Sequence, residues 1–142
     1  MTGFFGKLFN KSSGKWVLIG SNDSITDYYD PASVNIVDYL SCFEVNCIRV
    51  YTTKGKQILF EDLRALNISK DAINDIHHSI NSYIIYYERM KKVQVMTLFV
   101  SESGQLLLKV GSDSPPQETD ITPGTVDDMI LKKLLKDYSI NR

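Results

Sequence analysis

Residues 93–110 read VQVMTLFVSESGQLLLKV, and this stretch decides the fold class. Two apolar segments, Val93–Val100 and Leu106–Val110, flank a short polar turn at residues 102–105 that contains Gly104. Short apolar runs rich in β-branched and aromatic residues, separated by a glycine-containing turn, are typical of a β-hairpin. The stretch therefore predicts two antiparallel strands.

Further strands are predicted before this hairpin. Val45–Thr53 shows two-residue alternation and β-branched enrichment, Lys54-Gly55 supplies a turn, and Gln57–Phe60 is apolar again, so a second hairpin is expected. Trp16–Gly20 is typical of a short buried strand that ends at a glycine. Val34–Leu40 fits either a strand or a helix.

A long helix is predicted between the two hairpins, from Ser69 to about Met90. Ser69 is a suitable N-cap, and Asp71 lies in the first turn, where the helix dipole favours negative charge. Apolar residues recur there at 3.6-residue spacing, namely Ile73, Ile76, Ile80, Tyr83, Ile84 and Tyr87.

A second helix is predicted over Val126–Tyr138, capped by Thr125, with Asp128 in a capping-box-like position. Its inward face is predicted to carry Ile130, Leu131, Leu134 and Tyr138, and its outward face Lys132, Lys133 and Lys136.

These elements predict an α+β fold: an antiparallel β-sheet of about five to six strands, with a long middle helix and a C-terminal helix packed on it. We find no linker and no repeat, which indicates a single domain over residues 1–142. Within it, residues 1–15 are expected to form an N-terminal amphipathic segment and loop.

Composition excludes several classes of protein. The 142 residues include 43% hydrophobic and 23% charged side chains, which is ordinary for a globular domain and argues against disorder. The net charge is −1, with 16 basic and 17 acidic residues, so no positive field favours nucleic acid. No apolar run approaches the ~18–20 residues that cross a bilayer.

The cysteines and the start of the chain bear on the compartment. Cys42 and Cys47 are the two cysteines, and on one strand their offset of five would place them on opposite faces, which disfavours a bridge. Residues 1–10 lack the features of a signal peptide. The sequence as written therefore predicts a cytoplasmic protein; export or surface display is the alternative if Met1 is not the natural start.

The segment FFGKLFNK at residues 4–11 has two interpretations. Phe4, Phe5, Leu8 and Phe9 would share one side of a short helix, with Lys7 and Lys11 nearby. Such a segment can bind a membrane surface or a partner. Alternatively, it covers an open face of the sheet, which we favour because two turns are marginal unless docked.

Residue chemistry gives little support for catalysis. On the predicted long helix, Asp71, Asp75 and His78 would share a polar face, but no other element supplies further metal ligands, so a solvated face is the simpler interpretation. No phosphate-binding, zinc-protease or nucleophile-elbow motif is present. We therefore expect no catalytic activity, no metal and no cofactor.

Tyrosines suggest a contact surface. In the predicted long helix, Ile85 and Tyr86 would point away from the apolar stripe. They would then be buried under another element or form a partner or dimer surface, for which Tyr is well suited because it is large, stiff and half polar.

Motifs at both ends of the chain resemble the surface-adhesin protein E-like family of small bacterial domains. Trp16–Gly20 followed by Tyr28–Val34 resembles that family's opening strand and "Y-x-D-P-x-S-[IV]" turn, and Ile121–Thr125 is similar to its closing "I-x-P-G-[ST]". Between them, Lys91–Val100 and Gly104 fit the family's late hairpin. The residues to which the resemblance assigns structural roles are Trp16, Tyr29, Asp30, Pro31, Pro123 and Gly124.

The chain departs from that family in three respects, one of which is that its middle section, Gln57–Met90, is predicted to be longer and more helical than the family pattern. Members usually carry an export signal and a cysteine pair that ties the sheet to the terminal helix, whereas Glu88 and Arg89 stand near where the first cysteine would fall. The chain therefore looks like a divergent member of the family. The missing export signal and cysteine pair are expected of a cytoplasmic relative whose cysteines stay reduced.

The resemblance implies a non-catalytic protein-binding domain whose partner is unidentified. Self-association into a homodimer is one form that this binding would take. The alternatives are a cytoplasmic immunity or inhibitor protein that masks a partner, and, less favoured, a peripheral protein that contacts a membrane surface.

Overall fold

The computed structural model describes residues 15–111 and 117–141, and these contain eight strands and three α-helices. The strands are β1 (Val17–Ser21), β2 (Ile25–Tyr29), β3 (Asn35–Val37), β4 (Cys42–Tyr51), β5 (Ile76–Tyr86), β6 (Lys91–Ser101), β7 (Leu106–Gly111) and β8 (Glu118–Asp120). The helices are α1 (Thr53–Leu63), α2 (Lys70–Asn74) and α3 (Val126–Asp137). The α+β class is therefore confirmed, with eight strands instead of five to six.

All eight strands belong to one antiparallel sheet, in the order β1-β2-β4-β5-β6-β7. The long strands β4, β5 and β6 form its centre. Each edge of this three-stranded centre pairs with two short strands. On one edge, β2 and β3 pair with different halves of β4, and on the other, β7 and β8 pair with different halves of β6. The sheet is thus a meander, with α1 and α2 inserted between β4 and β5.

The three helices pack on one side of the sheet, which we call the helix face. At one end of this face, α3 buries Ile130, Leu131 and Leu134 against side chains of β2, β4 and β5. Each such side chain contributes about 1.5–3 kcal/mol when it is fully removed from water. The Tyr29 hydroxyl donates a hydrogen bond to Asp137 Oδ2 at 2.7 Å, which joins the last turn of α3 to β2.

The other end of the helix face is covered by α1 and α2. Leu59 and Leu63 of α1 and Ile73 of α2 form a second apolar cluster with Phe99 of β6. The Thr52 Oγ1 caps α1 by accepting the Gly55 N–H at 3.1 Å. A Cβ at Gly55 would lie 2.1 Å from the Ser24 carbonyl oxygen, so only glycine allows α1 to start this close to the turn before β2.

The opposite side of the sheet, which we call the open face, is also apolar at its centre. Ile48, Ile80 and Leu98 lie side by side on β4, β5 and β6. Ile80, Leu98 and Val100 form a separate cluster, and its members among the described residues all lie on strands. Within residues 15–111 and 117–141, no helix packs against this face.

The predicted long middle helix is wrong. Residues 70–74 form α2, with Ser69 Oγ accepting the Ala72 N–H at 3.1 Å as an N-cap, but residues 76–86 form β5 at the centre of the sheet. The apolar residues of this segment have helical spacing although they form a strand. Both faces of β5 are buried over much of its length, so its apolar side chains do not show two-residue alternation.

The predicted return strand at Gln57–Phe60 is also wrong, because these residues lie within α1. The prediction assumed a turn at Lys54-Gly55, whereas Gly55 is in the first turn of the helix and packs on Ser24. Val34–Leu40, which the sequence left open, contains β3 and a 3₁₀ turn at Asp38–Leu40.

Two other predictions are confirmed. The hairpin at residues 93–110 is β6 and β7, and the terminal helix begins after Thr125, whose Oγ1 accepts the Asp128 N–H at 3.4 Å. The Asp128 carboxylate completes the cap by accepting the Gly124 N–H at 2.9 Å. None of the helices in the described ranges has the length and apolar character needed to span a membrane.

Stability is expected not to depend on the thiol redox state. Cys42 and Cys47 are both free and both lie on β4, where an offset of five residues separates their Cα atoms by about 16 Å, far beyond disulfide reach. Thermal unfolding with and without a reductant should give the same Tm. A Tm several degrees lower in the reductant would contradict this expectation.

Candidate functional site

Two hairpin turns meet at one end of the sheet. The turn between β3 and β4 includes Tyr39 and Leu40, and the turn between β5 and β6 spans residues 87–90. They are adjacent because Cys42 pairs with Tyr86 and the Tyr87 N–H donates to the Ser41 carbonyl at 3.0 Å. This end of the sheet therefore presents a surface built from two separate parts of the chain.

The first turn exposes two large apolar side chains. Tyr39 is 87% exposed and Leu40 is 49% exposed. The backbone beneath them is well ordered by hydrogen bonds: residues 38–40 form a 3₁₀ turn, and the Ser41 N–H donates to the Asp38 carbonyl at 3.1 Å. Ser41 adopts a left-handed conformation with φ of 53°, which redirects the chain into β4. The exposed side chains thus stand on a preorganised backbone.

The second turn adds an aromatic ring and a cation. The Arg89 guanidinium lies over the ring of Tyr86, 4.0 Å from its centroid, and also forms an ion pair with Glu118 of β8. Stacking on Tyr86 holds the planar guanidinium of Arg89 against the face of the ring. We call Tyr39, Leu40, Tyr86 and Arg89 the tip patch. Tyr and Arg are the residue types most enriched where binding energy concentrates in protein interfaces.

The prediction for Ile85 is wrong, whereas Tyr86 lies at the surface for a different reason. Ile85 is 1% exposed and belongs to the core beneath α3, so it offers nothing to a partner. Because these residues form a strand, Ile85 and Tyr86 point to opposite faces of the sheet. Tyr86 is half-buried and carries Arg89.

A strip of polar side chains crosses the helix face between the two apolar clusters. Arg49 donates two hydrogen bonds to the buried Asp27, from Nε at 2.8 Å and from a terminal nitrogen at 2.9 Å. The hydroxyls of Tyr51 and Ser79 are 2.9 Å apart, and Asn81 Nδ2 donates to Ser79 Oγ at 3.0 Å. Thr97 Oγ1 donates to Asn81 Oδ1 at 2.9 Å. These bonds link four strands through side chains as well as through the backbone.

The chemistry of this strip favours structure over catalysis. Burial raises the pKa of the Cys47 thiol, with the Asp27 carboxylate adding to the effect, and burial likewise raises the pKa of Tyr83. Both groups therefore stay protonated at neutral pH and are poor nucleophiles. Burial alone would lower the pKa of Arg49, but its hydrogen bonds to Asp27 raise the pKa overall, so this side chain is a fixed cation.

Lys92 and Asp127 extend the strip toward α3. The Lys92 ammonium is 2.9 Å from Asp127 Oδ1 and lies 4.7 Å from the centroid of the Tyr83 ring. Asp127 is in the first turn of α3, where the helix dipole also favours a carboxylate. Each cation in this region thus has its own acidic partner.

The predicted polar face of Asp71, Asp75 and His78 does not form. Asp71 lies in α2, Asp75 follows that helix, and His78 is on the open face of β5. Burial lowers the pKa of His78, and the neighbouring His77 lowers it further. Across the described ranges, no group of three or more potential ligands is placed to hold a metal ion.

Two grooves lie beside α1 and α2. One, of about 410 Å³, runs between the two helices and includes Phe60 and Ile73 in its wall. The other, of about 620 Å³, lies between α2 and the β6–β7 turn and includes His77 and Glu102. Neither brings together a nucleophile, a base and an orienting group in the way that a hydrolytic centre requires.

The motif residues at the start of the domain have structural roles. Tyr29 is buried against α3, and the Asp30 carboxylate accepts the Ala32 N–H at 3.0 Å. Pro31 occupies the first position of the 3₁₀ turn that this bond caps, where its missing N–H costs nothing. Trp16 is half-buried directly before β1.

The closing motif positions α3. Pro123 and Gly124 are exposed in the turn before the helix, and Gly124 has a φ of 85°, which favours glycine. Ile121, at the start of this motif, is buried in the core beneath α3. Phe4, Phe5, Leu8 and Phe9, the predicted docking segment, lie outside the described residues.

Sequence reasoning missed Tyr39 and Leu40. They fall in the segment that was ambiguous between strand and helix, and either element would have buried one of them. The only available signal was the adjoining Asp38 and Ser41, which favour turns.

The comparisons with known proteins support the fold. No protein-family model matches the chain, and no curated protein is significantly similar in sequence. Among solved structures, Haemophilus influenzae protein E matches with a TM-score of 0.55 at 14% identity, over 89% of this chain and 88% of that one. Crystal form II of the same protein gives 0.54 over 87% and 89%. Protein E from non-typeable Haemophilus influenzae gives 0.52 over 87% and 77%.

At 14% identity these matches show a shared fold. They confirm the resemblance to protein E at the level of a distant structural relationship.

Proposed function

We propose that this chain is a non-catalytic protein-binding domain that contacts its partner through the tip patch. The observation that carries the proposal is the exposure of Tyr39 and Leu40 on a hydrogen-bonded turn. Tyr39 and Leu40 are neighbours in the chain, and adjoining exposed apolar side chains form the kind of patch that becomes buried on binding.

Three further properties support a protein partner. The tip patch combines an aromatic ring, an aliphatic side chain and an Arg–Tyr stack, which is typical of energetic hot spots. Its backbone is already ordered, so binding costs little conformational entropy. The sequence resemblance to surface-adhesin domains and the structural likeness to protein E also favour a binding role.

The polar strip holds its ionisable groups in unreactive states, which supports the proposal of a function without catalysis. In the polar strip the Cys47 thiol and the Tyr83 phenol are held protonated, and Arg49 and Lys92 are each paired with a carboxylate. These side chains stabilise the sheet between its two helical covers. We propose no cofactor or metal for the domain.

The two alternatives differ in the partner that the tip patch contacts. A cytoplasmic inhibitor or immunity protein would mask the active site of another protein, whereas an adhesin-like domain would bind a surface or matrix protein. We propose a cytoplasmic location for the first of these and export or surface display for the second. The peripheral-membrane alternative depends on Phe4, Phe5, Leu8 and Phe9 instead of the tip patch.

The proposal is tested by crosslinking and affinity capture with the full chain from the organism that produces it. The double variant Tyr39→Ser/Leu40→Ser removes both exposed side chains, and we expect its partner to be retained roughly 30-fold less, since hot-spot losses reach about 2 kcal/mol. The matched control is Ile58→Ser/Leu66→Ser, whose side chains are 51% and 54% exposed elsewhere on the domain. This control should retain the partner like the wild type.

Equal retention by both double variants would exclude the tip patch as the contact. Sedimentation of the purified chain tests for a homodimer. If the wild type and the control variant self-associate and the tip variant does not, the partner is a second copy of this chain. Circular dichroism of both variants should match the wild type, which shows that lost binding is not lost folding.

A further inference from the structure

The centre of the open face is more deeply buried than the described elements explain. Leu98 is 0%, Ser82 1% and Asn46 4% exposed. Yet no helix of residues 15–111 and 117–141 packs against this face, where the described members of the apolar cluster all come from strands. Side chains on a bare sheet face would remain accessible to water, so this face requires a cover.

Two polar atoms on this face indicate which chemical groups the covering segment must contain. Asn46 and Ser82 are direct neighbours on β4 and β5. Asn46 Oδ1 and Ser82 Oγ are both buried and have no hydrogen-bond partner. Buried acceptors are rarely left unsatisfied. The cover must therefore bring hydrogen-bond donors into the middle of an apolar surface.

The described residues leave two other stretches of chain to consider. Residues 112–116 read SDSPP and carry no large apolar side chain. Residues 1–14 contain Phe4, Phe5, Leu8 and Phe9 at spacing that gathers them on one side of a helix, together with Lys7 and several polar side chains as donors. Only the second stretch combines apolar area with donors.

The position of Lys15 allows this stretch to reach the open face. Lys15 lies two residues before the start of β1. This strand is at the edge of the sheet and is separated from β5 by β2 and β4. Three strand spacings amount to about 14 Å, whereas fourteen residues in a helix span about 21 Å. The covalent connection also keeps the segment at high effective concentration beside the sheet.

We propose that residues 1–14 dock on the open face of their own chain, with Phe4, Phe5, Leu8 and Phe9 against Ile80 and Leu98. The segment is then an integral cover of the sheet, and this role is separate from binding at the tip patch. If residues 1–14 undocked, the apolar surface on β4, β5 and β6 would become accessible to water.

The test places the photoreactive residue benzoylphenylalanine at Phe5 or at Phe9 in the full chain. After irradiation of dilute protein, we expect intramolecular crosslinks to peptides that contain Ile80–Ser82 or Met96–Val100. Crosslinked dimers would show that a second copy occupies the face, and crosslinks to α1, α2 or α3 would place the segment elsewhere. Either result would overturn the proposal.

A second measurement uses variants and a hydrophobic dye. Phe5→Ser/Phe9→Ser should raise the fluorescence of bound anilinonaphthalene sulfonate several-fold, because the open face becomes accessible. The matched control Lys11→Ser alters a long side chain of the same segment that the proposal does not use, and it should leave the dye signal unchanged. Equal signals from both variants and the wild type would contradict the proposed docking, whether or not the crosslinks form.

Discussion

Replacing Leu134 with alanine is expected to lower the free energy of unfolding by about 2–5 kcal/mol. Leu134 lies in the middle of α3, is completely buried, and packs in the cluster that contains Phe43 and Ile85. The rigid sheet beneath it cannot collapse into the space that the leucine leaves, so the lost transfer energy and a cavity add together. Urea denaturation of Leu134→Ala and the wild type measures the difference.

The control for this prediction is Lys136→Ala, an exposed residue of the same helix. It should change the free energy of unfolding by no more than about 0.5 kcal/mol. If both substitutions were equally harmless, α3 would not be docked on the sheet in solution. If both were equally severe, the loss could not be assigned to the packing of Leu134, because alanine has the highest helix propensity of all residues.

Replacing Arg49 with methionine is expected to cost about 3–5 kcal/mol. Methionine keeps much of the apolar stem of arginine but removes the guanidinium that donates both hydrogen bonds to Asp27. Asp27 is buried on β2, so its carboxylate is then left without a compensating charge. Urea denaturation at neutral pH should show a midpoint shifted strongly downward.

The double variant Asp27→Leu/Arg49→Met is the matched control for the pair. It removes both charges, so no unpaired ion remains, and we expect it to be clearly more stable than Arg49→Met alone. A double variant as unstable as the single one would show that packing around Arg49, and not its charge, stabilises this part of the sheet.

The parts of the fold that sequence predicted are those in which local signals agree with the tertiary structure. The β6–β7 hairpin has a polar, glycine-containing turn between two apolar runs. For α3, the Thr125 cap, the charged outer face and the apolar stripe of Ile130 and Leu134 all indicate one amphipathic helix. One face of α3 is in water, so its periodicity is visible in the sequence.

Strand β5 could not be predicted in this way, because its periodicity is hidden by burial on both sides. Ile85 and Tyr83 face α3, whereas Ile80 faces the opposite side and is also buried. Buried polar residues such as Ser79 and Asn81 interrupt the pattern further, since they serve the polar strip. An apolar residue at every third or fourth position then arises by coincidence.

The tip patch illustrates the same limit for the candidate site. Tyr86 was chosen because it would point away from a helical stripe, but it is half-buried at the surface as the last residue of a strand. Tyr39 and Leu40 were missed because Asp38 and Ser41 give only a weak turn signal, and because the hydrogen bond that joins this turn to the next one comes from Tyr87, 46 positions after Ser41. Such a long-range contact leaves no local mark in the sequence.

The hydrogen bond between Tyr29 and Asp137 has a consequence for the order of folding. It joins residues 108 positions apart, whereas β5–β6 and β6–β7 are neighbours along the chain. Closing so large a loop costs more entropy than forming hairpins, so the hairpins are favoured to pair first. During synthesis, Phe43 and Ile85 remain without their helical cover until the last residues of α3 have left the ribosome. The newly made chain is therefore open to misassociation until α3 has been synthesised and has docked on the sheet.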